Sequence, residues 1–192
     1  MGMEKVTVSG VEPDGIGEES ARRGLSESLG TGNIAINHYR VAPGEGLPGG
    51  LHAHMDQEEV FAVIEGEATF ETMDGDITVN EGEVIRFAPK EFQSGVNESD
   101  GLLVVLAIGA PRSTEDVRIP VDCPECGDST LRLNSNETDV VFLCPNCDTT
   151  HIPRDCPQCG HPDLRVTLNE TNCTVAICSD CGTEFDRPPL RN

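Results

Sequence analysis

Two histidines and a glutamate in the first third of the chain have the residue types and spacing of a metal site. His52 and His54 are separated by one residue, so in an extended strand their side chains lie on the same face. Glu59 opens the next apolar run and can supply a carboxylate from across a tight turn. Two imidazoles and one carboxylate leave open positions on iron(II), manganese or nickel, as oxygen-activating and related enzymes require. The spacing therefore predicts a divalent metal site.

Eight of the nine cysteines form four Cys-x-x-Cys pairs, all beyond residue 122. Two intervening residues let one tight turn direct both thiolates at one ion, and two such turns complete a tetrahedron. The first two pairs are 17 residues apart and the second two are 18 apart, which is typical of zinc sites. Two structural zinc ions are predicted, one held by Cys123, Cys126, Cys144 and Cys147 and one by Cys156, Cys159, Cys178 and Cys181.

Disulfides and a rubredoxin-like iron site are the alternatives to zinc for these cysteines. Disulfides are disfavoured because no secretory leader opens the chain, and paired Cys-x-x-Cys turns in a reducing cytosol favour metal. Iron in a rubredoxin-like site would supply an electron donor, but such cores are rich in aromatic residues and this region has only Phe142 and Phe185. The ninth cysteine, Cys173, is predicted to be a small buried apolar residue.

The elements that position these residues are predicted to be β-strands. In the first region, short runs rich in Val, Ile, Phe and Thr alternate with Gly-containing turns, which indicates an all-β barrel or sandwich. These runs lie at 33–41, 59–64, 67–71, 76–79, 84–87 and 102–108. One short helix is predicted at 18–29. The second region contains an internal repeat with a shift of 33 residues. The shift aligns 131–133 with 164–166, and it aligns the Asn-Glu-Thr triplet at 136–138 with the same triplet at 169–171. Each copy of the repeat has this turn triplet between two alternating runs, so each is predicted to be a β-hairpin.

The first region resembles the cupin superfamily over about residues 33–110. The first cupin motif, G-x5-H-x-H-x4-E-x6-G, is met without a gap by Gly46, His52, His54, Glu59 and Gly66. The neighbouring Glu58 is the other candidate for the carboxylate, and the spacing to the last glycine favours Glu59. The resemblance implies a double-stranded β-barrel, or jelly roll, with the metal held inside it.

The second cupin motif, G-x5-P-x-G-x2-H-x3-N, is met only in part, and no histidine occurs from residue 55 to residue 150. Counting back from Asn97 places the fourth ligand at Gln93, whereas counting forward from Pro89 places it at Ser94. Gln93 is preferred because an amide oxygen binds a metal better than a serine hydroxyl does, although more weakly than an imidazole. Two interpretations stay open: a metal held by three strong ligands and one weak one, or a pocket that binds a small molecule without metal.

The second region resembles a tandem pair of zinc ribbons over residues 121–187. The predicted domains are a cupin barrel at 1–112 with its core at 33–110, a linker at 113–120, and ribbons at 121–152 and 153–188. The ribbon resemblance is specific for metal and fold but not for function. With so little core in each unit, the metal is expected to supply most of the folding free energy.

The chain is strongly acidic, with 34 Asp and Glu against 13 Lys and Arg and a net charge of −21 over 192 residues. The excess is spread through both regions, which resembles proteins of halophiles that accumulate salt, where salt screens the repulsion. Such a surface repels nucleic-acid phosphates and anionic lipids. The longest apolar run, 102–108, is far shorter than the roughly 20 residues of a membrane span. A cytoplasmic protein that binds neither membrane nor nucleic acid is expected.

The cupin resemblance allows dioxygenase, isomerase or decarboxylase chemistry on a small organic molecule. An iron, manganese, nickel or zinc ion would act as Lewis acid or oxygen activator, with Gln93 as its weak fourth ligand. No organic cofactor is predicted, and Tyr39 and His38 are more often ordinary strand residues than parts of a pocket. The alternative is a non-catalytic ligand-binding or sensory cupin whose ribbons dock a protein partner. A homodimer is expected from the resemblance alone.

Overall fold

The computed structural model of the protein describes residues 2–15, 19–135 and 140–191, and almost all of its regular structure is β. The strands up to residue 110 are β1 (Asp14–Gly15), β2 (Ala21–Gly24), β3 (Ala35–Val41), β4 (Ala53–His54), β5 (Glu58–Glu65), β6 (Glu67–Thr72), β7 (Gly75–Asn80), β8 (Val84–Phe87), β9 (Gln93–Val96) and β10 (Leu103–Ala110). The later strands are β11 (Val117–Ile119), β12 (Leu131–Ser135), β13 (Val140–Leu143), β14 (Thr150–His151), β15 (Leu164–Leu168), β16 (Thr174–Cys178) and β17 (Glu184–Phe185). No helix in the described ranges is long and apolar enough to cross a membrane.

The first region is a barrel made of two antiparallel sheets around one core. The sheets have the strand orders β1-β2-β3-β10-β5-β8 and β7-β6-β9. Alternate side chains of these strands point inward, as strand geometry requires. The centre of the core is a cluster of three aromatic rings, Phe61, Phe70 and Phe87, with ring centroids 5.0 to 6.0 Å apart. The all-β prediction is confirmed.

The helix predicted at 18–29 is wrong over most of its length. Residue 18 lies outside the described residues, Ala21–Gly24 form β2, and only Ser26–Leu29 (α1) are helical. β2 pairs antiparallel with β3 and places Arg22 opposite Tyr39. Helices this short are marginal in water, so the hydrogen bonds offered by the edge of β3 outweigh local helix preference.

The second region contains the two predicted hairpins, β12–β13 and β15–β16. In the second hairpin the side-chain oxygen of Asn169 accepts hydrogen bonds from the backbone N–H groups of Thr171 and Cys173, both at 3.0 Å. The equivalent triplet at 136–138 lies outside the described residues. Cys173 is exposed, so the prediction that it is buried is wrong. It lies in the turn just before β16, where no sheet packs over it.

Strand β11 joins the two regions and lies within the segment 113–120 that was predicted to be a linker. Val117 is opposite Leu133 of β12 on one side and opposite His54 of β4 on the other. The resulting sheet has the order β14-β13-β12-β11-β4. The strand that ends at His54 is therefore the edge strand of the sheet of the first ribbon.

A second apolar core contains one residue of the loop before the histidines. Leu51 is fully buried among side chains that come mostly from the ribbons, namely Ile119, Val121, Cys123, Leu131, Phe142, Cys144 and Val166. The Leu51 N–H donates to the carbonyl of Val166 at 2.8 Å. A Cβ on Gly50, whose φ is +61°, would lie 2.9 Å from that same carbonyl oxygen, so glycine permits this approach. The ribbons thus pack directly on the loop that leads to His52.

The second ribbon makes further contacts with the barrel through strand β15. Arg165 donates from Nη2 to the carbonyl of Leu47 at 3.1 Å, and its guanidinium fills the space beside Gly46. The carboxylate of Glu71 accepts from the Thr167 hydroxyl at 2.6 Å and from the Leu168 N–H at 2.9 Å. Each of these bonds ties barrel to ribbon.

Truncation of Leu51 tests whether this shared core stabilises the protein. Leu51→Ala is expected to lower the free energy of unfolding by about 2–5 kcal/mol because it leaves a cavity among fully buried side chains. Urea unfolding of the metal-loaded full chain, followed by circular dichroism, measures the change. Ile64→Ala, at a side chain that is 55% exposed, is the matched control and should change it little. Equal midpoints for the two variants would contradict the shared core.

Candidate functional site

Residues 52–54 lie between the barrel and the sheet of the first ribbon. The His52 N–H donates to the carbonyl of Gln93 at 3.1 Å, and the Gln93 N–H donates back at 2.9 Å. On the other side, Ala53 and His54 pair with β11. The ligand atoms of His52, His54 and Glu59 all lie within 4.8 Å of one another. The structure therefore brings together the three residues that the spacing selected.

The two histidines are neutral and are oriented as ligands. His52 Nδ1 lies 2.8 Å from the carbonyl oxygen of Gly50, which can only accept, so Nδ1 carries the hydrogen and Nε2 is left with a free lone pair. His54 Nε2 lies 3.4 Å from Glu59 Oε2. Burial lowers the pKa of His52, and it lowers the pKa of His54 to about 4. Neutral imidazole is the form that binds a metal ion.

Glu59, rather than Glu58, supplies the carboxylate. Glu58 points outward and forms an ion pair with Arg86 at 2.7 Å. Burial raises the pKa of Glu59 to about 7, against a smaller opposite effect of its hydrogen bond from Gln93. A divalent cation beside this carboxyl would stabilise the ionised form that burial disfavours. The donor set of two neutral imidazoles and one carboxylate fits such an ion.

Gln93 lies beside these ligands, whereas Ser94 does not. Gln93 is buried in β9 and donates from its amide nitrogen to Glu59 Oε2 at 3.0 Å. Because the amide nitrogen makes this hydrogen bond, the amide oxygen of Gln93 is left to act as a weak ligand for a cation. The next residue, Ser94, is opposite Glu71 and does not line the cavity.

The three residues open onto a cavity of about 320 Å³ inside the barrel. Tyr39 lines this cavity and His38, its neighbour on β3, does not. Burial raises the pKa of Tyr39, so its hydroxyl stays protonated as a hydrogen-bond donor. The polar lining residues that the sequence analysis missed are Arg22, Asn37, Gln57, Arg112 and Thr114. Asn37 and Tyr39 are two residues apart on β3, so their side chains share one face of the strand. This spacing is the signal that could have identified β3 as one wall of the cavity.

The sulfur atoms of each cysteine quartet are arranged for a metal ion and not for a disulfide. The Sγ–Sγ distances are 3.8 Å for Cys123–Cys147, 3.5 Å for Cys126–Cys144, 3.7 Å for Cys156–Cys181 and 3.6 Å for Cys159–Cys178. A tetrahedron with metal–sulfur bonds of about 2.3 Å separates its sulfurs by about 3.8 Å. A disulfide would bring two sulfurs to about 2.0 Å. Both quartets can therefore hold a metal ion.

The turns that carry these cysteines share one backbone conformation. The residue after each pair has a φ between 57° and 81°, and its N–H donates to the carbonyl of the first cysteine of the pair at 2.8–3.0 Å. Those residues are Gly127, Asp148, Gly160 and Gly182. Asp148 is the one that is not glycine, and aspartate is among the few residues that tolerate this region. The positive φ of this turn position thus favours glycine, which occupies it in three of the four turns.

Polar side chains lie within hydrogen-bonding distance of several of the cysteine sulfurs. The Thr149 hydroxyl lies 3.3 Å from Cys147 Sγ and lowers the pKa of that thiol to about 6. Thr183, at 3.1 Å, does the same for Cys181. His151 Nε2 lies 3.5 Å from Cys123 Sγ, a contact that the sequence analysis missed. The two threonines thus favour the thiolate, which is the form that binds metal, at one cysteine of each quartet, whereas the pKa of Cys144 and of Cys159 is raised to about 12.

Comparisons with known proteins agree with this architecture. Residues 37–109 match the family model described as "Cupin domain". No curated protein matches the sequence. Among solved structures, a sugar phosphate isomerase of the cupin superfamily from Silicibacter pomeroyi is similar, with 17% identity, a TM-score of 0.58, and coverage of 75% of this chain and 94% of that one.

Two further solved structures share the fold at similarly low identity. A putative sugar phosphate isomerase from Acidithiobacillus ferrooxidans is 22% identical with a TM-score of 0.51, covering 65% of this chain and 75% of that one. The polyketide cyclase RemF from Streptomyces resistomycificus is 22% identical with a TM-score of 0.53, covering 64% of this chain and 88% of that one. Together with the family match, these structures show that residues 37–109 form a cupin domain with the cupin fold, and the two cysteine quartets that follow it fit two tandem zinc-ribbon units.

Proposed function

We propose that this chain is a mononuclear metal-dependent enzyme that acts on a small organic molecule inside the cupin barrel. The observation that carries the proposal is the convergence of His52, His54 and Glu59 within 4.8 Å at the wall of the barrel cavity. His52, His54 and Glu59 are the strong ligands, and Gln93 is the weak fourth one. The metal is iron, manganese, nickel or zinc.

The chemistry that this arrangement favours is rearrangement or proton transfer at a small substrate. A bound divalent ion would supply a Lewis acid that polarises a substrate oxygen. The neutral Tyr39 hydroxyl lines the cavity and is a proton donor for such a substrate. The isomerase and cyclase named among the structural relatives support this class of reaction.

A second candidate is a ligand-binding cupin without a metal, whose ribbons dock a protein partner. The observation that favours it is that Glu59 already has polar neighbours: Gln93 donates to it at 3.0 Å and His54 lies 3.4 Å away. A buried carboxyl satisfied in this way does not require a cation. The metal content of the protein separates the two candidates.

We expect the metal-replete protein to carry three metal ions per chain, two of them zinc in the ribbons. His52→Ala is expected to lower the content from three to two because it removes one strong barrel ligand. Elemental analysis of the purified full chain measures this. His38→Ala, a change of the same residue type outside the cavity, should leave three. Two ions in the unmodified protein would exclude the metalloenzyme and leave the second candidate.

Substitution of Gln93 tests whether this residue is the weak fourth ligand of the barrel metal. Gln93→His replaces an amide oxygen with an imidazole and is expected to tighten nickel or zinc binding in the barrel by at least about tenfold. Gln93→Leu, which has no donor, should weaken it. Competition against a fluorescent chelator measures both affinities. Equal affinities in all three proteins would show that residue 93 does not contact the metal.

We also propose that the ribbon metals are structural and hold the histidine strand in place. The support is the pairing of β4 with β11 and the hydrogen bond from the Met55 N–H to the carbonyl of Asp116 at 2.8 Å. Small units of this kind take much of their folding free energy from the metal. Loss of the first metal should therefore loosen residues 51–56.

Hydrogen–deuterium exchange tests this coupling. Cys126→Ser is expected to speed amide exchange in peptides covering 51–56 and 117–119 by about tenfold or more. Without the metal, the sheet that contains β4 and β11 is less stable, so its hydrogen bonds open more often. Peptides of β6 should be unchanged. Cys173→Ser, the cysteine outside both quartets, is the matched control. Unchanged exchange at 51–56 in Cys126→Ser would contradict the coupling.

A further inference from the structure

We propose that the substrate carries a carboxylate or phosphate group, which Arg22 and Arg112 bind inside the barrel cavity. The inference rests on the proposed function, in that the cavity beside His52, His54 and Glu59 is the site of the reaction. It adds a substrate class and two recognition residues to that function.

The charge balance of the cavity is the reverse of the charge balance of the chain. The whole protein has 34 acidic and 13 basic side chains. Among the residues that line the cavity there are two arginines, Arg22 and Arg112, and one carboxylate, Glu59. Asp14 pairs with Arg22 from outside the cavity, so Arg112 is the cavity arginine without an ion-pair partner among the described residues. An uncompensated charge in a cavity costs free energy unless an anion offsets it. A divalent metal would add to this positive charge.

Arg22 has a buried guanidinium N–H group that no acceptor among the described residues satisfies. It lies on β2 opposite Tyr39, at the wall of the cavity. Its Nη2 forms an ion pair with Asp14 at 2.9 Å, on the solvent side of a side chain that is 41% exposed. Its Nε is buried and has no hydrogen-bond partner among the described residues. A buried N–H without an acceptor is costly in a folded protein, and a bound oxyanion would satisfy it.

Arg112 is held in place by a neutral acceptor. Its Nη1 donates to the carbonyl of Thr31 at 2.6 Å, and it forms no ion pair within the described residues. A backbone carbonyl orients the guanidinium without neutralising its charge. The wall that carries it is fixed to the barrel by Gln57, which donates to the carbonyl of Pro111 at 2.6 Å.

The size of the cavity and the shape of its donors define the ligand. Guanidinium groups present planar forks of N–H donors that match carboxylate and phosphate oxygens. A volume of about 320 Å³ admits a small molecule and excludes a polymer. The ligand is therefore a small organic acid or phosphate ester that places one polar group near Tyr39 and the metal ligands.

The experiment compares three small probes on the metal-loaded full chain by isothermal titration calorimetry at one fixed KCl concentration. The probes are lactate, its neutral counterpart lactamide, and inorganic phosphate. At least one anion is expected to bind about tenfold or more tightly than lactamide, since hydrogen bonds to ionised groups are roughly twice as strong as neutral ones. Lactate above phosphate assigns the carboxylate, and phosphate above lactate assigns the phosphate.

Two variants assign the effect to the arginines. Arg22→Gln and Arg112→Gln are each expected to weaken the preferred anion about tenfold and to leave lactamide unchanged. Arg86→Gln, which breaks an exposed ion pair with Glu58 outside the cavity, is the matched control and should retain anion binding.

The outcomes separate this inference from the proposed function. An unmodified protein in which neither anion exceeds lactamide overturns the inference, and no variant is needed for that result. Full anion binding by the Arg22→Gln/Arg112→Gln double variant also overturns it. If anion preference is found but the barrel holds no metal, the inference stands and the metalloenzyme proposal fails. If the barrel metal is present without anion preference, only the inference fails.

Discussion

The backbone pairing on both sides of residues 52–54 is the contact on which the rest of the structure depends. On one side His52 exchanges two hydrogen bonds with Gln93, which belongs to the barrel. On the other side Ala53 and His54 pair with β11, which belongs to the sheet of the first ribbon. The segment that carries His52 and His54, the two proposed metal ligands, is therefore held by both halves of the chain. The positions of the His52 and His54 side chains therefore depend on the pairing with β9 of the barrel and on the pairing with β11.

The ribbons are small, and this makes their metal sites important for the barrel. Cys123 and Cys144 are themselves members of the core that buries Leu51. If these cysteines hold a metal ion as proposed, the metal–sulfur bonds are linked directly to the packing around the loop before His52. Small domains bury too little apolar surface to be stable alone, so metal binding and side-chain packing have to cooperate.

The sequence predicts the parts of this molecule that depend on short-range spacing. The His-x-His-x4-Glu pattern and the Cys-x-x-Cys pairs follow from strand and turn geometry, and the structure brings each set together. Arg22 was missed because its strand exists only through pairing with β3, which local propensity does not encode. Arg112 and β11 were missed for the same kind of reason, since both lie in a polar segment whose structure is set by distant partners. Cys173 was misplaced because the copies differ by one residue between their cysteine pairs, and the alignment moved a turn residue onto a strand.

The distribution of charge separates the surface of this protein from its interior. A chain with 34 acidic residues presents carboxylates almost everywhere, yet two of its eleven arginines line one cavity. Concentrated salt screens the repulsion at the surface but reaches a narrow cavity less effectively.

The position of β11 also bears on how such a protein could arise by gene fusion. A coding sequence that stopped at Ala110 would retain every residue of the first cupin motif and still lack the neighbour of Ala53 and His54. It would also expose Leu51, which has its packing partners mostly in the ribbons. A barrel without the ribbons would need another cover for this edge of β4. A recombination event that separated the two halves would have to supply both a new strand partner for β4 and new packing for Leu51.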